Sequence, residues 1–420
     1  MTQTGSNNVL IIEQNGDAGS IGATDGVQDY HWPDTPPHNF SISFNGVNQT
    51  STGAGSNKAT LTQGGTAAVI GDLQQTANGS AIGNNITVDQ GGTNNVVNHI
   101  KQQQDTASTN NVATVTENGA SNEIDRIDQL AHGTASSGDP NTINLTIDGN
   151  NNGYFDGSPT TPFYDTFAYA YGATPSALIQ NHYNSSLIDV AGNSIDLIIH
   201  GDNNGYGQTQ KGTDNSSGTV TINGSNNSFG TYQAGNANTI QAGEVDGDFN
   251  DIGIWQSGDT NVATVSVLAT GSDYNQIGIA QGGTDNHGTV SVTGTGNTSI
   301  LSQAGTSNTA DIEINGDDNG NGAFSGAAGT LATSASLANG TVIQGTGLGS
   351  ANNTANLTIF GDSNDFTIAQ LGSDNQVTGN IGSGLADSSN NQAAVLQTGD
   401  GNIASFSQSG AGSNNVAISQ

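Results

Sequence analysis

Residues 275–319 read NQIGIAQGGTD, NHGTVSVTGTG, NTSILSQAGTS, NTADIEINGDD and N: eleven-residue blocks opening on Asn275, Asn286, Asn297 and Asn308 and handing over to Asn319. Each block follows one pattern, Asn-x-h-x-h-x-(Gln or Ile/Val)-x-Gly, in which h is usually apolar. Side chains on a strand alternate between faces, so the residues two apart in this pattern all point one way, and that face is the buried one.

Two strand types follow. In Asn250, Ile252, Ile254, Gln256 and in Asn275, Ile277, Ile279, Gln281 the inward set ends in glutamine. In Asn141, Ile143, Leu145, Ile147 and in Asn353, Ala355, Leu357, Ile359 it ends in an aliphatic residue. The types alternate, with Asn261, Asn286 and Asn308 opening aliphatic strands and Asn275 and Asn297 opening glutamine strands. Two strands and two turns thus make a unit of about 22 residues, and self-similarity of that length signals a solenoid.

One coil of two short strands cannot bury its own apolar face, whereas stacked coils form two parallel sheets facing each other across about 10 Å, with about 4.8 Å between coils. The expected fold is an all-β solenoid over residues 1–420 with loop insertions and little place for helix. Glycine ends most strands, and turns such as Gly201-Asp202-Asn203-Asn204 and Gly361-Asp362-Ser363-Asn364 are rich in residues that bond their own backbone. The short period implies roughly fifteen to nineteen coils' worth of chain.

An inward amide left unpaired costs about 1–3 kcal/mol. Stacked in register, each can bond the identical amide of the coil above and below. The candidate ladder residues are Asn250 and Gln256, Asn275 and Gln281, Asn297 and Gln303, Asn364 and Gln370, and Asn402 and Gln408. A slip of one residue would expose Ile252 and Ile254 and bury Gly253 and Trp255, so the alternation also pins register.

Gly399-Asp400-Gly401-Asn402-Ile403-Ala404-Ser405-Phe406-Ser407-Gln408-Ser409-Gly410, the stretch from Asn391 through Gln397 to Gly399, and the series Asn57, Ala59, Leu61, Gln63, Gly65 resemble the curlin repeat of bacterial curli. The resemblance covers most of the chain outside two inserts. It implies a secreted functional-amyloid subunit with a β-solenoid fold, building extracellular fibres in biofilm. Half of the strands here replace the inward glutamine with Ile or Val, and no nucleator or anchor segment is visible.

Composition agrees with an extracellular repeat protein: 61 glycines, no cysteine and four basic residues, Lys58, Lys101, Arg126 and Lys211. No disulfide framework is available, so stability must come from stacked hydrogen bonds and core burial. The start Met1-Thr2-Gln3-Thr4 has neither a basic region nor an apolar run, which leads to the expectation of a leader absent from this sequence. A formal net charge of −32 argues against nucleic-acid and anionic-membrane partners and for solubility and control of lateral clumping, and without an apolar run no membrane insertion is expected. Asp202, Asp248, Asp273, Asp317, Asp318 and Asp362 fall on one edge. Their solvated-surface reading outweighs calcium binding, because they lack the calcium-loop pattern.

Two stretches break the period. Residues 17–37 carry Tyr30-His31-Trp32-Pro33-Asp34 and Pro36-Pro37, after which Phe40, Ile42, Phe44 and Gly46 are expected to resume an aliphatic strand. Residues 153–191 hold Tyr154, Phe155, Phe163, Tyr164, Phe167, Tyr169 and Tyr171, read as a satellite core on the solenoid's side or a contact site for another fibre or a matrix glycan. The seven histidines are scattered without metal-ligand spacing, and no catalytic arrangement stands out, so no enzyme is expected.

Asn8, Leu10, Ile12 and Gln14 open the pattern near one end, and Asn414, Val416, Ile418 and Gln420 close it at the other, with no polar cap at either. Uncapped coils leave strand edges that can template another chain. The expected partner is therefore a second copy, stacked head to tail. The alternative is a monomeric solenoid adhesin or an ice-binding protein that uses outward threonines such as Thr142, Thr146, Thr289, Thr293, Thr354 and Thr358, an array interrupted by Asp196, Asp311, Glu313 and Asn356.

Overall fold

In the computed structural model the chain divides into two compact units: Met1–Tyr154 with Ser176–Asn193, and Phe155–Pro175 with Ser194–Gln420. The structure describes residues 192–420 apart from 242, 270, 346–348, 383–388 and 411. Before these it describes 2–4, 9–11, 13–15, 20–21, 28–30, 40–42, 48–51, 57–64, 69–71, 74–77, 84–93, 96–100, 102–104, 111–131, 141–153 and 178–180.

The C-terminal unit is a β-solenoid in which the two strand types occupy separate parallel sheets. Asp251–Asp259, Gln276–Thr284 and Thr298–Thr306 lie side by side in the glutamine sheet, with Ile254 opposite Ile279 and Gln256 opposite Gln281. Val262–Val267, His287–Thr293 and Thr309–Asn315 do the same in the aliphatic sheet. Burial alternates along the aliphatic strands, as period-two patterning demands, whereas glutamine strands such as Asp251–Asp259 are buried continuously over their first four residues. Columns of like side chains run along the stack, for example Val265, Val290, Ile312 and Leu357. The next rung of that column is Gly379, and the ring of Phe406 one coil further fills its place, since a Cβ on Gly379 would stand 2.4 Å from Phe406 Cζ.

Turns stack as closely as strands. A Cβ on Gly258, whose φ is 110°, would lie 2.0 Å from the carbonyl oxygen of Gly283 in the next coil. Glycine is required there by conformation and by the approach of a neighbouring backbone together. The residue just before most ladder asparagines, such as Asn226, Asp285 or Ser307, is left-handed, a conformation that short polar residues tolerate.

Coils are longer than the short repeat implied. Linked glutamines stand 23 residues apart at Gln233–Gln256 and 22 at Gln281–Gln303, but 27 at Gln75–Gln102 and Gln102–Gln129 in the N-terminal unit. Turns, which carry no ladder, thus vary in length. Between Gln303 and Gln344 the spacing reaches 41, because this coil contains a helix, Gly326–Ala335. Helix has little place, as expected, and this is the single helix among the described residues. Its alanine-rich sequence has no period-two pattern and favours helix intrinsically.

The N-terminal unit, among its described residues, also stacks parallel strands, which are mostly two to five residues long. Val69–Gly71 pairs with Val96–Ile100, and that strand with Glu123–Ala131. The insertion at 17–37 contributes Gln28–Tyr30, which pairs antiparallel with Phe40–Ile42. Phe40 and Ile42 thus do not resume the parallel stack as expected but close a hairpin. The aromatic residues from Tyr154 to Tyr171 in the 153–191 insertion lie outside the described residues.

Candidate functional site

Most inward amides of the C-terminal unit bond one another along three columns. In the glutamine column, eight hydrogen bonds link Gln210, Gln233, Gln256, Gln281, Gln303, Gln344, Gln370, Gln397 and Gln420, each Nε2 donating to Oε1 of the next coil at 2.7–3.1 Å. Each amide nitrogen is also tied to backbone. That of Gln281 donates to the carbonyls of Val262 and Asn286 at 2.8 and 3.0 Å. Every rung up to Gln397 is buried.

The first asparagine column runs through Asn204, Asn227, Asn250, Asn275, Asn297, Asn319, Asn364, Asn391 and Asn414. Oδ1 of Asn250 accepts both the backbone N–H and Nδ2 of Asn275, at 3.0 and 2.9 Å. Nδ2 of Asn275 also donates to the Gly294 carbonyl, in the turn before Asn297, at 2.9 Å. A second column on the aliphatic strands runs from Asn215 through Asn238, Asn261, Asn286, Asn308, Asn353 and Asn375 to Asn402 in the same way. Each amide meets its partners only because its neighbour is the same residue in the same rotamer.

Of the ladder residues proposed from sequence, Asn250, Asn275, Asn297 and Asn364 stand in the first asparagine column and Gln256, Gln281, Gln303 and Gln370 in the glutamine column. Asn402 belongs to the aliphatic strands, and Gln408 stands apart from the glutamine column. Gln408 lies opposite Ile381, itself opposite Ile359, and its Nε2 donates to the Gln392 carbonyl at 3.1 Å. Its Oε1 is buried without a hydrogen-bond partner. Reading the motif alone puts Gln408 in the wrong sheet, because strand type is set by position in the coil and not by the residue that ends the strand.

Among the proposed end residues, Asn8 and Ile12 lie outside the described residues. Val9–Leu10 pairs with Lys58–Ala59, and Gln14 lies opposite Gln63. At the other end, Asn414 donates to Asn391 at 2.7 Å, Val416 pairs with Ala393 and Ile418 with Val395.

The turn aspartates have a structural task. Oδ1 of Asp248 accepts the Ser225 N–H at 2.7 Å, that of Asp273 the Asp248 N–H, that of Asp317 the Thr295 N–H and that of Asp362 the Asp317 N–H, each reaching back one coil. No group of three or more His, Cys, Asp or Glu among the described residues is arranged to hold a metal ion. The outward threonines form no continuous array: Thr289 stands between Thr264 and Asp311, and Thr358 between Glu313 and Asn380. His200 and His287 are exposed on outward positions. No helix among the described residues is long and apolar enough to cross a membrane.

Sequence reasoning did not find Asp251, an outward residue 7% exposed on the glutamine sheet. Burial pushes its carboxyl up to about 7, with the Ser228 hydroxyl opposing. Nor did it find the lateral cluster around the helix. Asn415 Oδ1 accepts the Ala328 N–H in the helix's first turn at 2.6 Å, while Gln392 Oε1 accepts from Ser325 N and Oγ and from Asn415 Nδ2. The cap that Ser325 does not supply thus comes from a coil some ninety residues away.

No protein-family model matches the chain, and no curated protein matches it. The class that the fold defines is the β-solenoid with internal amide ladders.

Proposed function

We propose that this chain is a structural subunit that assembles head to tail with copies of itself into extracellular, curli-like amyloid fibres of a biofilm matrix. The observation that carries the reading is the self-complementarity of the rungs. Each amide of the three ladder columns in the C-terminal unit bonds the same amide one coil away, so a coil is the best available partner for another coil. Parallel strands perpendicular to the stack also have the geometry of cross-β. The resemblance to the curlin repeat and the acidic charge, which keeps stacks from clumping laterally, support the same reading. Matrix glycans and other fibres are secondary partners.

The test is assembly after dilution from denaturant, followed by electron microscopy, fibre diffraction and sedimentation. Unbranched filaments with a meridional reflection near 4.8 Å are expected, and their growth is seeded by preformed filaments. Rods that stay monomeric at high concentration overturn the fibre reading in favour of a monomeric adhesin.

A further inference from the structure

Phe249 and Tyr274 break the rule of the left-handed turn position. Short polar residues such as Asn226 and Asp318 occupy this place in other coils, yet these two aromatic residues adopt φ of 59° and 58°. Bulky side chains are strained there, and such strain persists where it serves a purpose. Their rings stack at 4.9 Å between centroids and 1° between planes, and they remain 41% and 61% exposed.

The ladder of rings stops at the next rung. There Gly296, also left-handed, presents no side chain, and one coil on Asp318 folds back over it, its Oδ1 2.6 Å from where a Cβ of Gly296 would stand. The backbone register is continuous through these turns, since the N–H groups of Tyr274, Gly296 and Asp318 each donate to the coil before. Phe249 stacks on one face of the Tyr274 ring, and the next rung on the other side is Gly296, over which the Asp318 carboxylate folds. Asp273 and Asp317, one residue before Tyr274 and Asp318, each accept a backbone N–H of the coil before. No basic side chain pairs with these carboxylates among the described residues. The fold uses cation–ring contact elsewhere, with Lys211 Nζ 4.9 Å from the Tyr232 ring centre.

A gap one side chain high, with an aromatic face on one wall and a carboxylate on the other, fits a flat cation. A guanidinium group is planar, weakly hydrated, stacks on rings and pairs with carboxylates, whereas an ammonium is a compact, strongly hydrated point charge. We propose that Tyr274, Gly296 and Asp318 form a notch that takes the guanidinium of an arginine side chain on another polypeptide. Charge complementarity argues for a foreign partner, because this chain carries a net charge of −32 and a single arginine.

The experiment titrates the full chain, with ring-labelled tyrosine, with N-acetylarginine amide and with N-acetyllysine amide at equal ionic strength, and follows the Tyr274 ring signal by NMR. Tyr274→Phe identifies that signal by its loss. The arginine probe is expected to shift it saturably, binding roughly 5-fold more tightly than the lysine probe. Asp318→Asn weakens the arginine probe about 5-fold, and Gly296→Asn, a residue this position accepts in other coils, fills the gap and abolishes the shift. Equal response to the two probes, or a response unchanged in Asp318→Asn and Gly296→Asn, means diffuse attraction to an acidic surface and overturns the notch.

Discussion

The two units solve one problem with different coils. In most coils of the C-terminal unit, Gln344 to Asn353 excepted, the next asparagine stands five positions after the ladder glutamine, as from Gln233 to Asn238, and this turn brings the Asn238 carbonyl 2.9 Å from Gln233 Nε2. In the N-terminal unit nine residues separate Gln75 from Asn84 and Gln102 from Asn111. There the glutamine amides point the other way along the chain: Gln75 donates back to Gln49, Gln102 to Gln75 and Gln129 to Gln102, at 2.6–3.0 Å. In the C-terminal unit each donates forward. A column of amides must share one polarity, since a donor has to face an acceptor, so a local preference set at each turn is shared by the whole column. The asparagine columns keep one sense in both units, Asn111 donating to Asn84 as Asn275 donates to Asn250. The ladder is therefore the constant of this architecture, and turn length is the variable.

The largest test of that contrast changes strand and turn separately. One alanine inserted between Gly278 and Ile279 turns Ile279 and Gln281 outward, and the C-terminal unit is expected to lose more than about 5 kcal/mol and its cooperative unfolding. Two residues inserted after Gly271, where a side chain would meet open space, are expected to cost less than about 1 kcal/mol. Urea unfolding followed by circular dichroism separates the outcomes, and similar losses at both places would show that turn length is not free.

Removing a rung sharpens the comparison. Gln281 makes hydrogen bonds to Val262, Asn286 and Gln303 and accepts from Gln256, so Gln281→Ala should cost about 3–5 kcal/mol. Gln102 donates to Gln75 and Asn85 and accepts from Gln129, without the turn carbonyl. Gln102→Ala should cost about 1 kcal/mol less. Segment-resolved hydrogen exchange measures both, and a costlier Gln102 would remove the turn carbonyl as the source of the difference.

Asp251 gives the C-terminal unit a pH response. Its folded pKa, about 7, lies above the ordinary 3.8, so the folded state holds a proton that the unfolded chain has released. The stabilisation is complete below about pH 4, declines as pH rises towards 7 and is gone above it. Asp251→Asn should flatten this part of the profile and raise stability at pH 8 by about 2–3 kcal/mol, read as a shift in urea midpoint. The smallest effect is expected at the helix that lengthens one coil. Asn415→Ala removes its cap and should cost about 1–2 kcal/mol, with faster exchange confined to residues 326–335 and 415–419.

Much of this architecture was legible in residues. Asparagine every eleven positions, with apolar residues two apart, specifies strands buried on one face, and alternating strand ends specify two sheets, because both follow from the two-residue period of a strand. The ladder partners of Asn250, Asn275, Gln256 and Gln281 followed from the cost of burying an amide alone. Gln408 did not, since its sheet depends on counting turns and not on the strand's own sequence. The hairpin of Phe40–Ile42 reads locally like any coil strand, and only its partner strand distinguishes it.

By itself, then, the sequence determined the strand period, the buried face and the identity of the stacking groups, all of them properties of neighbours along the chain. Tertiary structure decided which way the glutamine amides point, which carboxylates cap the coil before them, how Asn415 reaches the helix and why Asp251 is desolvated. Each of these depends on residues from about twenty to ninety positions apart meeting across coils, and their spacing is set by turns whose length the repeat does not constrain.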